Sequence, residues 1–464
     1  MIAMGVALAL GLSPDLAPAQ QVRAPDFDAL GFEAVERLGE FIRVRTVNPP
    51  GNETAGARWM QQVLGREGIS AEIFESSPGR GNLYARLPGN GSRRPIVLLS
   101  HIDVVPTTDS AWQVGPWSGE TRHGAVWGRG ALDMKGIAVV EMMTMIALKR
   151  RGVPLSRDII LVANADEETG STGAEWFTRE KKALLRNAEF LVNEGGHNRV
   201  TAEGRTAYYG IAVTEKVPYW LRITAHGSPG HGSIPRPDNA AGRISRALGR
   251  IAAWRTPTKL TPPAERYFKE LATRETEPRH RRWLADPAAA LRDSAGRSFF
   301  TSNLYYDAIL RNTVSITMLK GSDKTNVIPP EASAELDVRL LPGERPADFV
   351  RELERVIADS LVEITALRPE RQATTSPLEG SMIEAIREAV QAMEPGALIT
   401  TPMLAGFTDS YYYRSIGIGA YGVSPFRLSE DDARTVHGND ERVTVENLRF
   451  GVEFMYRIVE RVAR

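Results

Sequence analysis

The 464-residue chain contains no cysteine. That excludes a disulfide framework, a thiolate nucleophile and any Cys-ligated zinc or iron–sulfur centre. A transition metal here would have to be held by imidazole and carboxylate. Histidine is sparse, with seven in all. Net charge is absent, 57 acids standing against 57 bases. A nucleic-acid surface or a polybasic membrane face needs an excess of Lys and Arg, so neither is expected. Tandem repeats and long low-complexity tracts are also missing. What is there is ordinary globular protein, 42% apolar and 25% charged. Its length exceeds one comfortable core and predicts two domains.

Residues Ile2 to Leu12 are apolar or small, and Ala17-Pro18-Ala19 follows. An apolar run of roughly 10 residues ahead of an A-x-A site reads as a secretory signal over residues 1–19, and it is too short to span a membrane. Arginine outnumbers lysine 48 to 9, a usage associated with GC-rich bacterial genomes. The expectation is a periplasmic or secreted bacterial protein with no membrane span in the mature chain.

Pro95 to Ser100, Asp158 to Ala165 and Ala188 to Asn193 are short apolar runs of the kind found in buried strands. Met134 to Arg150 has helical spacing, and its Met142, Met143 and Met145 read as core filler. Strands alternating with helices predict a mostly parallel sheet covered on both faces. The pattern then changes. Tyr219 to Ala225, Asn312 to Lys320 and Ser333 to Leu341 alternate like half-exposed strands, while Asn239 to Trp254 and Ala347 to Leu361 look helical. That order predicts a β-α-β-β-α-β unit, an antiparallel sheet with helices on one face. Ala264 to Ala295 is charged and helix-prone and reads as an insertion. From about Ser376 the helix–strand alternation resumes. The fold expected is therefore α/β, with a catalytic domain from residues 26–213 and 376–464. An α+β, ferredoxin-like unit (214–375) is inserted in it, carrying extra helices at about 255–311.

Five segments carry chemistry. His101-Ile102-Asp103 directly follows a buried strand, and open α/β sheets bind ligands at the carboxyl ends of their strands. Asp103, two residues on, points the same way along an extended segment and suits a carboxylate that orients a metal-bound imidazole. Gly128 to Gly136 places Asp133 just before a helix, where an N-cap is the commonest job for Asp. Asp166-Glu167-Glu168 sets three carboxylates after another strand, costly if buried unless a cation compensates them; a solvated acidic turn is the plain alternative. Glu194 ends a further strand, and His437 lies late in the chain within His437-Gly438-Asn439-Asp440-Glu441. Each signal alone is weak. Taken in order, they supply enough ligands for two metals bridged by one carboxylate.

These segments, together with Gly230-His231-Gly232-Ser233, resemble the co-catalytic zinc peptidase family of aminoacylase, glutamate carboxypeptidase and the Gly-X carboxypeptidase (carboxypeptidase S). The resemblance runs from about Phe27 to the C-terminus. Asn193-Glu194-Gly195-Gly196 and the helical insertion look most like the carboxypeptidase S branch and its secreted N-acyl-amino-acid hydrolase relatives. The resemblance implies two Zn²⁺ per chain, with Asp133 bridging, His101 and Glu194 completing one site, and Glu168 and His437 the other. Co²⁺ or Mn²⁺ would suit such N/O ligands as well. It makes Glu167 the general base that takes a proton from the attacking water and passes it to the leaving amine, and Asp103 the residue that orients His101.

The inserted domain would be the family's lid. Within it, His231 resembles the oxyanion-stabilising histidine, which in dimeric members reaches the other subunit's centre, and Asn326 resembles its polar companion. Arg339 resembles the arginine that grips a substrate carboxylate, a fit that guanidinium geometry favours. Gly406 matches a glycine lining the cleft. His123, His197 and His280 have no matching role and read as surface or structural. The implied reaction is hydrolysis of an amide next to a free carboxylate, as in a Gly-X carboxypeptidase or, alternatively, an N-acyl-amino-acid amidohydrolase. Its substrates would be small peptides or N-acyl amino acids, and a homodimer through the lid is the implied assembly. A non-catalytic binding module on the same fold is the reading from another class. Such modules usually lose ligands or the base, and here all five ligands and Glu167 are present.

Overall fold

The computed structural model describes residues 24–201 and 204–464; the signal segment read at residues 1–19 lies outside them. Among the described residues no helix is long and apolar enough to cross a membrane.

Among the described residues ten strands form the larger sheet. Its centre is four parallel strands in the spatial order Ile159–Asn164, Ile96–His101, Phe190–Asn193 and Gly419–Val423. Antiparallel strands extend it on both sides, with Gly81–Leu87 and Ala71–Glu75 beyond Ile159–Asn164. The runs Ile96–His101 and Ile159–Asn164 are buried along their whole length because both faces are covered. Alternate residues serve the two sides. Ile96, Leu98, Ile159 and Leu161 pack under the helices Phe27–Arg43, Lys135–Arg150, Ser381–Met393 and Val445–Ala463. Val97, Leu99, Ile160 and Val162 pack against Phe177 and Tyr413, from the helices Thr172–Glu180 and Ser410–Ser415. Helix Lys135–Arg150 is apolar almost all round and buried accordingly, with Met142, Met143 and Met145 in the core.

The smaller sheet comes from residues 217–366, between the segments that build the larger one. Thr313–Lys320, Glu331–Leu340, Leu221–His226 and Val362–Ala366 lie side by side, all antiparallel. Helices Ala240–Ala253 and Pro346–Ile357 cover one face through Ile244, Ile251, Phe349 and Leu353. This is the α+β lid expected from the alternation pattern.

The helix-prone insertion is broken into five short helices between Pro262 and Ile309, and three of them open on proline, which suits a first helical turn. Its own small core, built on Tyr267, Phe268 and Phe300, closes on Leu341 of the lid and Met403 of the larger unit. Tyr305 donates to the Met403 carbonyl at 2.8 Å, and Glu270 accepts from the Thr401 N–H. The insertion thus braces the chain leading into Gly406. It does not cover the lid's edge strand, where Met318 and Leu319 are 60% and 70% exposed.

Candidate active site

The parallel strands aim their carboxyl ends at one place. Ile96–His101 ends on His101, Ile159–Asn164 runs into the turn bearing Glu167 and Glu168, and Phe190–Asn193 delivers Glu194. Two further segments complete the cluster. Asp133 sits on the turn before helix Lys135–Arg150, whose N-cap is Met134, so Asp133 is not the cap that its position first suggests. His437 arrives from far along the chain because strand Arg442–Thr444 pairs with Ala125–Trp127, laying the 437–441 segment over the Asp133 turn.

Glu441 does the fastening. Its buried carboxylate accepts from the N–H groups of Gly130, Leu132 and Asp133 at 3.0, 2.8 and 3.1 Å and pairs with Arg129 at 2.6 Å. Gly130 has φ +87°, and a Cβ there would meet Val104 at 2.7 Å, so the turn needs glycine on both counts. His437 itself holds a left-handed backbone at φ 58°, a conformation that side chains pay for and that concentrates at functional sites.

One oxygen of Asp133 lies 3.0 Å from His101 Nε2, the other 3.1 Å from His437 Nε2. Glu194 is 3.7 Å from His101 Nε2, and Glu168 is 3.1 Å from His437 Nε2. Ligand atoms of His101, Asp133 and Glu194 all fall within 4.8 Å of one another, as do those of Asp133, Glu168 and His437. The structure therefore brings together all five residues expected as ligands, in two triads that share Asp133.

Asp103 works from behind. Its carboxylate accepts the backbone N–H groups of Glu167 and Glu168 at 3.0 and 3.1 Å and the Asn48 amide at 2.8 Å. His101 Nδ1 is 3.0 Å from the Asp103 carbonyl oxygen and 3.6 Å from its carboxylate. The ring is thus steadied mainly by the Asp103 backbone, while the carboxylate fixes the turn carrying both glutamates.

Charge is the local difficulty. Burial pushes Glu167 and Glu194 well above the usual carboxylate range, with further help from neighbouring acids, and raises Glu168 in the same way. Burial also opposes ionisation of Asp133, but hydrogen bonds from His101 and His437 outweigh it and hold Asp133 below its usual value. The same bonds to Asp133 and Glu168 push His437 up to about 10. The cluster demands positive charge at its centre. Glu168 Oε1 is buried and without a hydrogen-bond partner. An all-oxygen and imidazole donor set with an orphaned carboxylate oxygen fits two divalent ions bridged by Asp133.

The chain matches the model of peptidase family M20/M25/M40 over residues 97–461. The chain belongs to that family. It is 27% identical over 411 residues to human N-fatty-acyl-amino acid synthase/hydrolase PM20D1, covering 86% of this chain and 79% of that one. Rat aminoacylase-1A is 26% identical over 441 residues, covering 93% and 95%. Among solved structures, an M20 family metallo-carboxypeptidase from Sulfolobus solfataricus superposes with TM-score 0.71 at 16% identity, covering 92% and 98%. The chain is accordingly an amide hydrolase of this M20 group, which takes in aminoacylases, carboxypeptidases and dipeptidases.

Two cavities of about 250 and 280 Å³ flank the cluster and share Glu167, Glu168, Gly406, Phe407 and His437 in their walls. The first is cationic, lined by Arg339, Arg368 and Arg371 beside Trp220. The second has the acidic cluster itself, Asp133, Glu167, Glu168, Glu194 and His437, along one side and an apolar wall of Leu132, Ile137, Leu404, Phe426, Leu428 and Val436 along the other. Gly406 faces both, and the nearest atom to a Cβ built there is Leu404 Cγ at 3.8 Å, so what its small size leaves free is cavity space.

Arg339 reaches the cationic cavity but is engaged by Asp337 at 2.7 and 3.1 Å. His231 and Asn326 are not brought to the cluster. Both are exposed on the lid, His231 bonded to Ser233 at 2.7 Å and the Asn326 carbonyl accepting from Gly232, and neither lines either cavity.

His197, read from the sequence as surface or structural, lines the second cavity, where burial pulls its imidazole down to about 4. Sequence reasoning also assigned no role to Glu441, Arg129, Arg368 or Asp409. Glu441 closes the 437–441 segment and Arg129 lies within residues 128–136, and those positions were the available signals.

Proposed function

We propose that the chain hydrolyses N-acyl amino acids, cleaving the amide next to a free carboxylate. The observation that carries this reading is that the acidic cluster has arginines on one side, in the first cavity, and an apolar wall on the other, in the second. A substrate with a carboxylate at one end and an apolar acyl group at the other matches that polarity. The names of the human and rat relatives support the same choice.

Two Zn²⁺ would be held by His101, Asp133 and Glu194 on one side and by Asp133, Glu168 and His437 on the other, and Co²⁺ or Mn²⁺ would suit the same donors. When bound, such a pair lowers the pKa of water and polarises a carbonyl. Glu167 stands at the junction of the two cavities, its backbone fixed by Asp103. There it takes the proton of the attacking water and returns it to the leaving amine, the role of a carboxylate tuned upward by burial. Because His231 and Asn326 lie away from their own chain's cluster, they complete the site of a second copy docked on the lid's open edge strand. The N-terminal run supports export to the periplasm or medium.

A Gly-Xaa carboxypeptidase remains the second reading, supported by the Asn193-Glu194-Gly195-Gly196 segment. A substrate series separates the two. Each methylene added to the acyl group gains about 0.8 kcal/mol of burial, so kcat/KM should climb roughly fourfold per methylene until the space against the apolar wall fills. Faster turnover of Gly-Xaa dipeptides than of any N-acyl amino acid, with no dependence on acyl length, would give the second reading precedence.

A further inference from the structure

We infer that Arg368 is the residue that receives the substrate's free carboxylate, a role that the family resemblance gives to Arg339. The assignment rests on the reading of the chain as a hydrolase of amides next to a carboxylate. Both arginines line the cavity that also exposes Glu167 and His437. Arg339 meets Asp337 through two nitrogens, at 2.7 and 3.1 Å, and Trp220 Nε1 donates to the same carboxylate at 3.1 Å. Its charge is matched, and a substrate would have to displace Asp337 to reach it. Arg371 has the Tyr412 hydroxyl and, at 3.9 Å, Glu175.

Arg368 is differently placed. Among the described residues it forms no ion pair; its nitrogens reach only the carbonyl oxygens of Thr169 and Gly170, each at a long 3.3 Å. Its guanidinium is carried over the Trp220 ring, 5.1 Å from the centroid. Guanidinium has five N–H donors in a fixed fork, so two carbonyl contacts leave donors over for a bidentate carboxylate. The carbonyls belong to the turn that bears Glu167 and Glu168. Arg368 is thereby registered against the proposed base, which sets a fixed distance between the carboxylate end of a substrate and its scissile amide. An unmatched cation held in a half-buried cavity beside an acidic cluster is a receptor for an anion.

The test compares an N-acyl amino acid with its C-terminal carboxamide, reading kcat/KM for each on the metal-loaded enzyme. The wild type should favour the acid. In Arg368→Met the preference should collapse by roughly 10- to 150-fold, the value of one charge-assisted hydrogen bond, through KM, the acid losing far more than the carboxamide. Arg368→Lys should fall between, keeping the charge without the fork. Gly170→Ala gives an independent variant, since a Cβ there would stand 2.8 Å from Arg368 Nη2 and must push the guanidinium aside; it should lower the preference as well.

Equal losses on acid and carboxamide would make Arg368 a prop for the turn and overturn the assignment. So would a collapse seen in Arg339→Met but not in Arg368→Met, or a loss confined to acidic amino acids, which would mark a side-chain pocket. A wild type inactive on every N-acyl amino acid would remove the functional reading and this one with it. An active wild type whose preference survives Arg368→Met removes this one alone.

Discussion

Asp133 can serve two imidazoles because its backbone is not free to move. Three N–H bonds and the Arg129 pair tie Glu441 to that turn. Glu441→Ala would leave Arg129, 2% exposed, as a buried unpaired charge. The expected cost is about 3–5 kcal/mol, measurable by denaturant unfolding, with Glu441→Gln costing less. Glu167 should behave in the opposite way. Glu167→Gln keeps the shape and all five expected ligands, so metal content and stability should persist while turnover falls by about 10²–10⁴, the usual worth of a general base.

Asp409 offers a pH test. It is 2% exposed, and burial raises its carboxyl to about 7. A carboxyl whose folded value exceeds its unfolded one contributes stability that is complete below about pH 4 and is lost as pH rises through about 7. Chelated protein should therefore be less stable at pH 7.5 than at pH 5, by an amount on the order of a few kcal/mol. Asp409→Asn should flatten that slope, and denaturant melts at the two pH values would show it.

At the scale of elements, much was legible in advance. The strands before His101, Glu167 and Glu194 announced themselves as short apolar runs because both of their faces are buried, and a strand that ends in a carboxylate or imidazole is a local pattern. The lid strands were legible from alternation, since one face is covered by two helices. The missing pieces are those with no local pattern. Arg129 and Glu441 are 312 residues apart in the chain, and only the pairing of Arg442–Thr444 with Ala125–Trp127 joins them. Arg368 follows the last lid strand in a stretch without periodicity, and its partners are backbone carbonyls, which no side-chain motif encodes. The place of His197 in a cavity wall was not legible either, because that wall is assembled from segments far apart in the chain. The insertion was read correctly as helical, but its breakage into prolines-first pieces and its role as a brace for the 401–405 segment depend on tertiary contacts.

For the molecule as a whole, the open lid edge and the distance of His231 from its own cluster belong together. If a second copy closes the site, a mixture of Glu167→Gln and His231→Ala chains should recover activity that neither has alone, up to about a quarter of the wild-type value per site from random pairing. A mixture whose activity never exceeds the sum of the two separate variants would leave the chain working as a monomer. The balanced charge of the sequence also acquires a meaning at this scale. Acids gather at the carboxyl ends of the parallel strands, in two triads that could each hold a metal ion.

The most direct measurement is a titration of metal-free protein with Zn²⁺ while the release of free amino acid from an N-acyl amino acid is followed. Release should rise with added metal and level off at two equivalents per chain. Full release from the chelated protein, or none at any ratio of zinc to protein, would contradict a two-metal amide hydrolase.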